Sequence, residues 1–398
     1  MKIVALHTDF RIYWPARLNA LSEALTSRGD SLEVIEIAGK GSPYAFAKNQ
    51  NESYSLLKWH ILFPEAKPEE LTGKQIEPVL FHMLDDINPD VIIAGAIAFP
   101  SGALAVRWGQ LHKTRIISFD DQPIGSLQRS PLVNFIKQQV YNGIDAMFYS
   151  SEDLIPTGEF WKFNQDQMFF GVDVVDNNFW NQPTDSSNTL GRYFLTVGRQ
   201  IPRKNLSTLM KAYTSYVNAV GPYEAINLVL TGEGEEQEML RSNATWHGLD
   251  KKVTFLPFKP QQELVGLYQQ AEALCMPSKS ETWGLVINEA MAAGCPVIAS
   301  NQCGATGVLV EDGVNGYRFD CEDVAALTDC MKKFHSLTPE QKQRMKAHAK
   351  KTISHWGLNK FSSSLLQAID YVTSHKKRPT SLVSRIIISK WKGQYRPA

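Results

Sequence analysis

Disulfide chemistry has little to work with in this chain. Only five of its 398 residues are cysteine (Cys275, Cys295, Cys303, Cys321 and Cys330), all in the second half and none in a Cys-x-x-Cys pair. An odd, scattered set argues against a disulfide framework and suits reduced thiols in a cytoplasmic setting. Long apolar runs are missing too. No stretch approaches the roughly 18 residues that span a bilayer, and Met1-Lys-Ile-Val-Ala-Leu enters a strand pattern at once, without a signal peptide's apolar segment. Neither sign of charge is in excess, with 41 Lys and Arg against 41 Asp and Glu, so no overall field points to nucleic acid. Repeats and low-complexity tracts are lacking. What remains is a soluble or peripheral globular protein whose length favours two domains.

The first half alternates short apolar runs with amphipathic ones. Ile3–His7, Leu32–Ile37, Asp90–Ala96, Arg115–Phe119 and Ala146–Ser150 read as strands; Pro15–Ser27, Glu69–Ile87, Ser101–His112 and Leu132–Asn142 read as the helices between them. Residues from Asp176 to Thr189 turn polar, like a linker. A second series follows. Tyr193–Gly198, Ile226–Thr231, Val253–Phe258, Ala273–Met276, Val297–Ser300 and Tyr317–Phe319 are strand-like, and Leu206–Ala219, Glu235–Trp246, Gln262–Gln270, Leu285–Ala293 and Val324–Leu337 are helix-like. Such βαβα alternation predicts an α/β fold of two doubly wound, Rossmann-like parallel-sheet domains, 1–178 and 190–358, facing a cleft, with a helix and basic tail over 359–398.

The most informative stretch is Ser278-Lys-Ser-Glu281-Thr-Trp-Gly284-Leu-Val-Ile-Asn-Glu289, followed by Gly294-Cys-Pro296. A strand runs into it and a helix follows, with Gly294 suited to the C′ position and Pro296 blocking continuation. Two carboxylates eight positions apart span at most about 12 Å on a helix, the reach from sugar to ribose in a nucleotide diphosphate sugar. The glycine between them lets backbone approach a diphosphate at the helix N-terminus, where amides and dipole favour anions. Two glutamates at this spacing also arise by chance; the strand–loop–helix–strand context is what gives them weight. Upstream, the strand ending at Gly198 leads into Arg199-Gln-Ile-Pro-Arg203-Lys204-Asn205, placing two cations on the same predicted rim. Thr231-Gly232-Glu233-Gly234 lacks the third glycine of a dinucleotide fingerprint, so a tight turn suits it better.

These residues resemble glycosyltransferase family 4 (glycosyl transferases group 1), retaining enzymes with the two-domain GT-B fold. The resemblance rests on Gly198-Arg199…Arg203-Lys204-Asn205, Leu230-Thr-Gly232-Glu-Gly234, Val253-Thr-Phe-Leu-Pro-Phe258, Glu281…Glu289, Gly294-Cys-Pro-Val-Ile-Ala299, Gly304 and Val310-Glu-Asp-Gly313-Val-Asn-Gly316-Tyr. Gly171-Val-Asp173 with Phe179 is similar to the family's interdomain segment. The resemblance implies that Arg199 and Lys204 bind the donor diphosphate, that Glu281 contacts the transferred sugar and that Glu289 holds the ribose. It implies a backbone cradle for phosphate around Trp283, Gly284 and Leu285, further donor contacts at Gly198, Gly232, Thr282 and Val286, and a nucleobase met near Phe258. It further implies a UDP- or GDP-sugar donor, a glycan or lipid-linked hydroxyl acceptor, and neither metal nor cofactor.

The first half departs from the family. His7-Thr-Asp9-Phe-Arg11-Ile-Tyr13-Trp14 stands where a Gly-Gly loop is common, and Ala94-Gly-Ala-Ile-Ala-Phe99 lacks the histidine often found there. His7, Asp9, Arg11, Tyr13 and Asp120 fall at predicted strand ends and become the acceptor-side candidates, although caps, turns and surface ion pairs place such residues there as well. A catalytically silent GT-B subunit that binds a nucleotide or a partner therefore stays open beside the transferase. Residues 376–396 carry seven Lys and Arg and no acidic residue, interleaved with Leu382, Val383 and Ile386–Ile388. That mixture suits the anionic inner face of a membrane, or a helix packed on the first domain.

Overall fold

The computed structural model describes residues 1–40, 57–126, 128–184 and 189–394. Within the polar 176–189 stretch residues 185–188 lie outside that range, as do residues 395–396 of the basic tail. The chain divides into two compact units, Met1–Val174 with Leu358–Ala398, and Val175–Gly357.

The first unit is built on seven parallel strands: β1 (Lys2–His7), β2 (Ser31–Ala38), β3 (Lys58–Phe63), β4 (Val91–Ala94), β5 (Arg115–Phe119), β6 (Ala146–Tyr149) and β7 (Met168–Phe170). Their order is β3-β2-β1-β4-β5-β6-β7. Central strands such as Val91-Ile-Ile-Ala94 are buried along their whole length, as expected for a parallel sheet covered on both faces. The covering helices are α1 (Trp14–Thr26), α2 (Gly73–Ile87), α3 (Pro100–His112), α4 (Pro131–Tyr141) and α5 (Ile155–Phe160). Helix α2 starts later than its apolar pattern suggests. Thr72 and Gln75 form a capping box there, and Pro68–Glu70 makes a separate 3-10 turn.

The second unit opens with a short helix, α6 (Asn177–Asn181), inside the stretch read as linker; Asp176 caps it by accepting from the Asn178 and Phe179 amides. Six parallel strands follow: β8 (Tyr193–Val197), β9 (Asn227–Thr231), β10 (Val253–Leu256), β11 (Ala273–Met276), β12 (Val297–Ser300) and β13 (Gly316–Phe319), in the order β10-β9-β8-β11-β12-β13. Around them stand α7 (Leu206–Val220), α8 (Gln237–Trp246), α9 (Gln261–Gln270), α10 (Leu285–Ala292), α11 (Gly304–Leu309), α12 (Val324–His335) and α13 (Pro339–Ser354). Helix α10 ends in a Schellman motif: the Cys295 amide donates to Ala290 O at 2.7 Å and the Gly294 amide to Met291 O at 3.0 Å, with Gly294 at φ 80°.

The chain then rejoins the first unit. Helix α14 (Leu358–Ser374) packs on α1, β5, β6 and β7, and α15 (Leu382–Lys390) packs on α3 and α4. In each sheet the strand order reverses once, between β1 and β4 in the first and between β8 and β11 in the second. Ligands of open α/β sheets bind outside the carboxyl ends of the strands at such switch points.

Candidate active site

The switch point of the second sheet brings two of the expected residues together. Lys204 follows β8, Glu281 follows β11, and Lys204 Nζ donates to Glu281 Oε1 at 2.6 Å. The pair is partly open, with side-chain exposures of 18% and 11%. Three ties hold the loops in this register. Asn205, in the left-handed conformation at φ 56°, donates from Nδ2 to Pro277 O at 3.1 Å and to Cys321 O at 2.8 Å. The Lys279 amide donates to Arg203 O at 2.9 Å. Backbone bonds from Glu281 N to Gln302 O and from Gly304 N to Glu281 O fix the loop on its other side. Arg199 is exposed, five residues before Lys204, and its side chain has no hydrogen-bond partner among the described residues. Two cations, one paired and one open, suit a group carrying several negative charges.

The remaining donor-side candidates supply backbone. Gly198 and Gly232 hold φ of 141° and 121°, and a Cβ at Gly232 would lie 2.1 Å from Gly198 O, so only glycine lets these two loops touch. Gly284 caps α10 at φ 101°. The first amides of α10, at Leu285 and Val286, have no carbonyl ahead of them in the helix and form an anion-attracting end with Thr282 exposed alongside. The Trp283 side chain faces inward. Its Nε1 donates to Asn288 Oδ1 at 2.9 Å and its ring stacks on Trp356. Glu289 does not join the Lys204–Glu281 pair. It sits on the buried face of α10 and accepts from Tyr268 Oη at 2.7 Å. Phe258 lies beyond β10 and is 40% exposed. All five cysteines are buried free thiols. Burial pushes the Cys303 thiol, next to this loop, up to about 11, which keeps it protonated at neutral pH.

The first sheet's rim has a different character. His7 ends β1, Asp9, Arg11 and Tyr13 lie in the stretch that follows it, and Asp120 follows β5. The His7 ring lies among Phe119, Phe10 and Trp14, with centroids at 5.1, 5.4 and 5.9 Å, and burial lowers its pKa to about 4. Arg11 is buried and braces the loop, donating from a terminal nitrogen to Gly39 O at 2.8 Å and lying 3.4 Å from Asp9. Ile12 holds φ 60°, a strained turn for a β-branched residue. Tyr13 stands at the head of α1 with the Arg17 guanidinium over its ring. Asp120 accepts from Tyr141 Oη at 3.3 Å, and burial together with Asp121 raises its pKa to about 6. Two further carboxyls belong to this rim. Burial raises Glu36, on β2, to about 7, and Asp173, beyond β7, likewise to about 7.

Comparison with known proteins bears on the second unit first: residues 181–352 match the family model described as glycosyl transferases group 1. The second domain belongs to this family. A D-inositol 3-phosphate glycosyltransferase of Corynebacterium efficiens is 32% identical over 139 residues, 34% of this chain and 32% of the relative. The protein of that description from Mycolicibacterium smegmatis is 37% identical over 100 residues, 25% of this chain and 23% of the relative. The aligned stretch thus spans about a third of the curated relatives at most. Solved structures extend the likeness to both units. HepE of Anabaena in complex with UDP matches with a TM-score of 0.72 at 16% identity, covering 93% of this chain and 100% of that one. The apo lipopolysaccharide outer core galactosyltransferase WaaB matches with a TM-score of 0.70 at 14% identity, covering 93% and 99%. At such identities the fold is what is shared, and it is the GT-B fold.

Within the group 1 domain, the residues hardest to foresee are the ones that hold the loops. Gln200 is buried and donates from Nε2 to Gly232 O at 2.7 Å, while Ser300 Oγ donates to Ser278 O at 2.6 Å. A Cβ at Gly304 would lie 2.2 Å from Thr282 O, so that glycine admits the loop that carries Glu281. For Gln200 and Ser300 the one available signal is position at the carboxyl end of an apolar strand, whereas Gly304 is among the residues that carry the family resemblance.

Proposed function

We propose that this protein is a retaining glycosyltransferase that moves a hexose-type sugar from a UDP- or GDP-sugar to a hydroxyl acceptor in bacterial polysaccharide or glycolipid assembly. The observation that carries this reading is the Lys204–Glu281 pair at the switch point of a group 1 domain, beside the free amides of α10. Arg199, Lys204 and the Leu285 and Val286 amides hold the diphosphate, Glu281 meets the sugar, and Glu289 with Tyr268 lies toward the ribose. The bond from sugar C1 to the phosphate oxygen breaks as the bond to the acceptor oxygen forms on the same face. The acceptor's proton passes to the departing phosphate oxygen, whose charge the fixed cations and amides oppose without a metal. Replacing Lys204 or Glu281 with Ala should abolish transfer over a panel of nucleotide sugars while leaving the melting temperature nearly unchanged. Full activity in either variant refutes the site.

The acceptor setting is a membrane's inner face. Among the described residues no helix is long and apolar enough to cross a bilayer. Part of the tail's charge is spent on the first unit: Lys377 pairs with Asp145 at 3.0 Å, and Lys392 pairs with Glu77. Helix α15 nevertheless leaves Leu382, Val383 and Ile386 exposed on one face, with Arg385 and Lys390 exposed on the same helix. Cosedimentation with phosphatidylglycerol vesicles, lost in Leu382→Asp/Ile386→Asp, is the expected result; equal sedimentation of that variant removes the membrane from the proposal.

A further inference from the structure

The two switch points carry different residues. In the second sheet the position is filled by Lys204 and Glu281. In the first it is filled by His7, the last residue of β1, and by Gly95, the first residue beyond β4. These are neighbours across the sheet: a Cβ at Gly95 would lie 2.6 Å from His7 Nδ1 and 2.9 Å from its Cε1. The glycine is what makes room for the imidazole, and Phe10, Trp14 and Phe119 fix the ring from its other sides.

That packing decides which nitrogen carries the proton. His7 Nδ1 is sealed from solvent and has no hydrogen-bond partner among the described residues. Nε2 has no partner among the described residues either, but unlike Nδ1 it is not among the sealed polar atoms, so it keeps contact with solvent. A neutral imidazole has one N–H and one bare nitrogen. A proton on Nδ1 would be a buried donor with nothing to accept it, and buried N–H groups without acceptors are the rarest kind of unpaired polar group. A proton on Nε2 can be met by water or by a bound hydroxyl. The aromatic surroundings disfavour the imidazolium, so the ring stays neutral across the physiological range.

We propose that His7 is a fixed, neutral N–H donor at the switch point of the first domain, with Nε2–H hydrogen-bonded to a hydroxyl oxygen of a sugar or polyol acceptor. The role rests on the transferase reading. It supplies no charge and accepts no proton; it orients the acceptor, and Trp14, half-buried beside it, offers an apolar surface to a sugar's C–H face.

The test begins with the unmodified full chain labelled with ¹⁵N-histidine. Long-range ¹H–¹⁵N spectra should show one imidazole, identified by its absence in His7→Gln, protonated on Nε2 and not titrating between pH 8 and about pH 5. A proton on Nδ1, or titration near the ordinary histidine value, overturns the proposal whatever the activity. Kinetics then test the role. His7→Ala should lower kcat by roughly tenfold, the rate equivalent of one ordinary hydrogen bond, with the donor KM unchanged. His7→Gln, whose amide can reach the Nε2 position, should recover most of the loss. An active parent with full kcat in His7→Ala refutes the role while leaving the transferase standing. A parent without turnover on any nucleotide sugar refutes the transferase reading, and the acceptor role falls with it.

Discussion

The two sheets share one topology, yet their rims handle charge in opposite ways. At the second, cation and carboxylate meet as a partly open pair and the backbone offers unspent amides. At the first, Glu36, Asp120 and Asp173 are pushed toward neutrality and His7 is kept from charging, all chiefly by burial. Fixed charge at a rim suits a ligand that is itself an anion. A rim of aromatic rings and carboxyls that titrate near neutrality, with Arg11 and Asp9 paired inside the loop, suits an uncharged, hydroxyl-rich one. The division of labour between donor and acceptor that the transferase reading assigns to the two domains thus has a counterpart in their electrostatics.

The comparison breaks most visibly at the second rim. If Lys204 and Glu281 act as one unit, Lys204→Met and Glu281→Gln should each lower kcat/KM by more than about a hundredfold. The double variant should then be little worse than the more damaged single one. Multiplying losses in steady-state assays would mean that the 2.6 Å contact is a resting arrangement between two independent groups. Backbone closeness gives the next largest effect. Gly232→Ala forces a Cβ to 2.1 Å from Gly198 O at φ 121°, so unfolding in denaturant should show a loss of about 4 kcal/mol. The control is Gly125→Ala in the first unit, where nothing lies within 4 Å of the added carbon and no loss is expected.

Legibility follows from whether a feature is local. The strands of the second unit, the Schellman end of α10 and the loop positions of Lys204 and Glu281 are written in short, apolar or glycine-marked segments, and they could be read. The edge strand β3 was not, because Lys58-Trp-His-Ile-Leu-Phe63 is nowhere fully buried and carries no run of aliphatic residues. Helix α13 was missed because only Met345, Ala349 and Ile353 are buried along its 16 residues. Helix α15 stands in the sequence as one of two readings of a basic, apolar stretch, a membrane-facing segment or a helix packed on the first domain, and it docks on that domain through little more than Ser384 and Ile388. The contact between His7 and Gly95 joins positions 88 residues apart in the chain. No pattern within either segment announces it. Glu36 was hidden for the opposite reason, since a carboxylate in Ser31–Ala38 reads as the solvent side of a strand, whereas here it is 3% exposed and held by Trp59 Nε1 and the Phe10 amide.

Glu36 also gives the smallest and most discriminating test of the first rim. Its folded pKa, about 7, lies above the ordinary glutamate value of 4.5, and burial is the main cause. A carboxyl raised in this way favours the folded state while it is protonated. That advantage is complete below the unfolded pKa and is lost as pH rises through the folded one. The first unit should therefore lose stability between pH 4.5 and 7 on account of this residue. Glu36→Gln, which cannot ionise, should escape that loss, gaining on the parent by on the order of 2 kcal/mol between pH 5 and pH 8 in denaturant unfolding. Asp120 and Asp173 shift in the same direction and remain in the variant, so a residual slope of the same sign is expected. A variant whose stability tracks the parent at every pH would show that Glu36 is ionised throughout, and the first rim would then be as charged as the second.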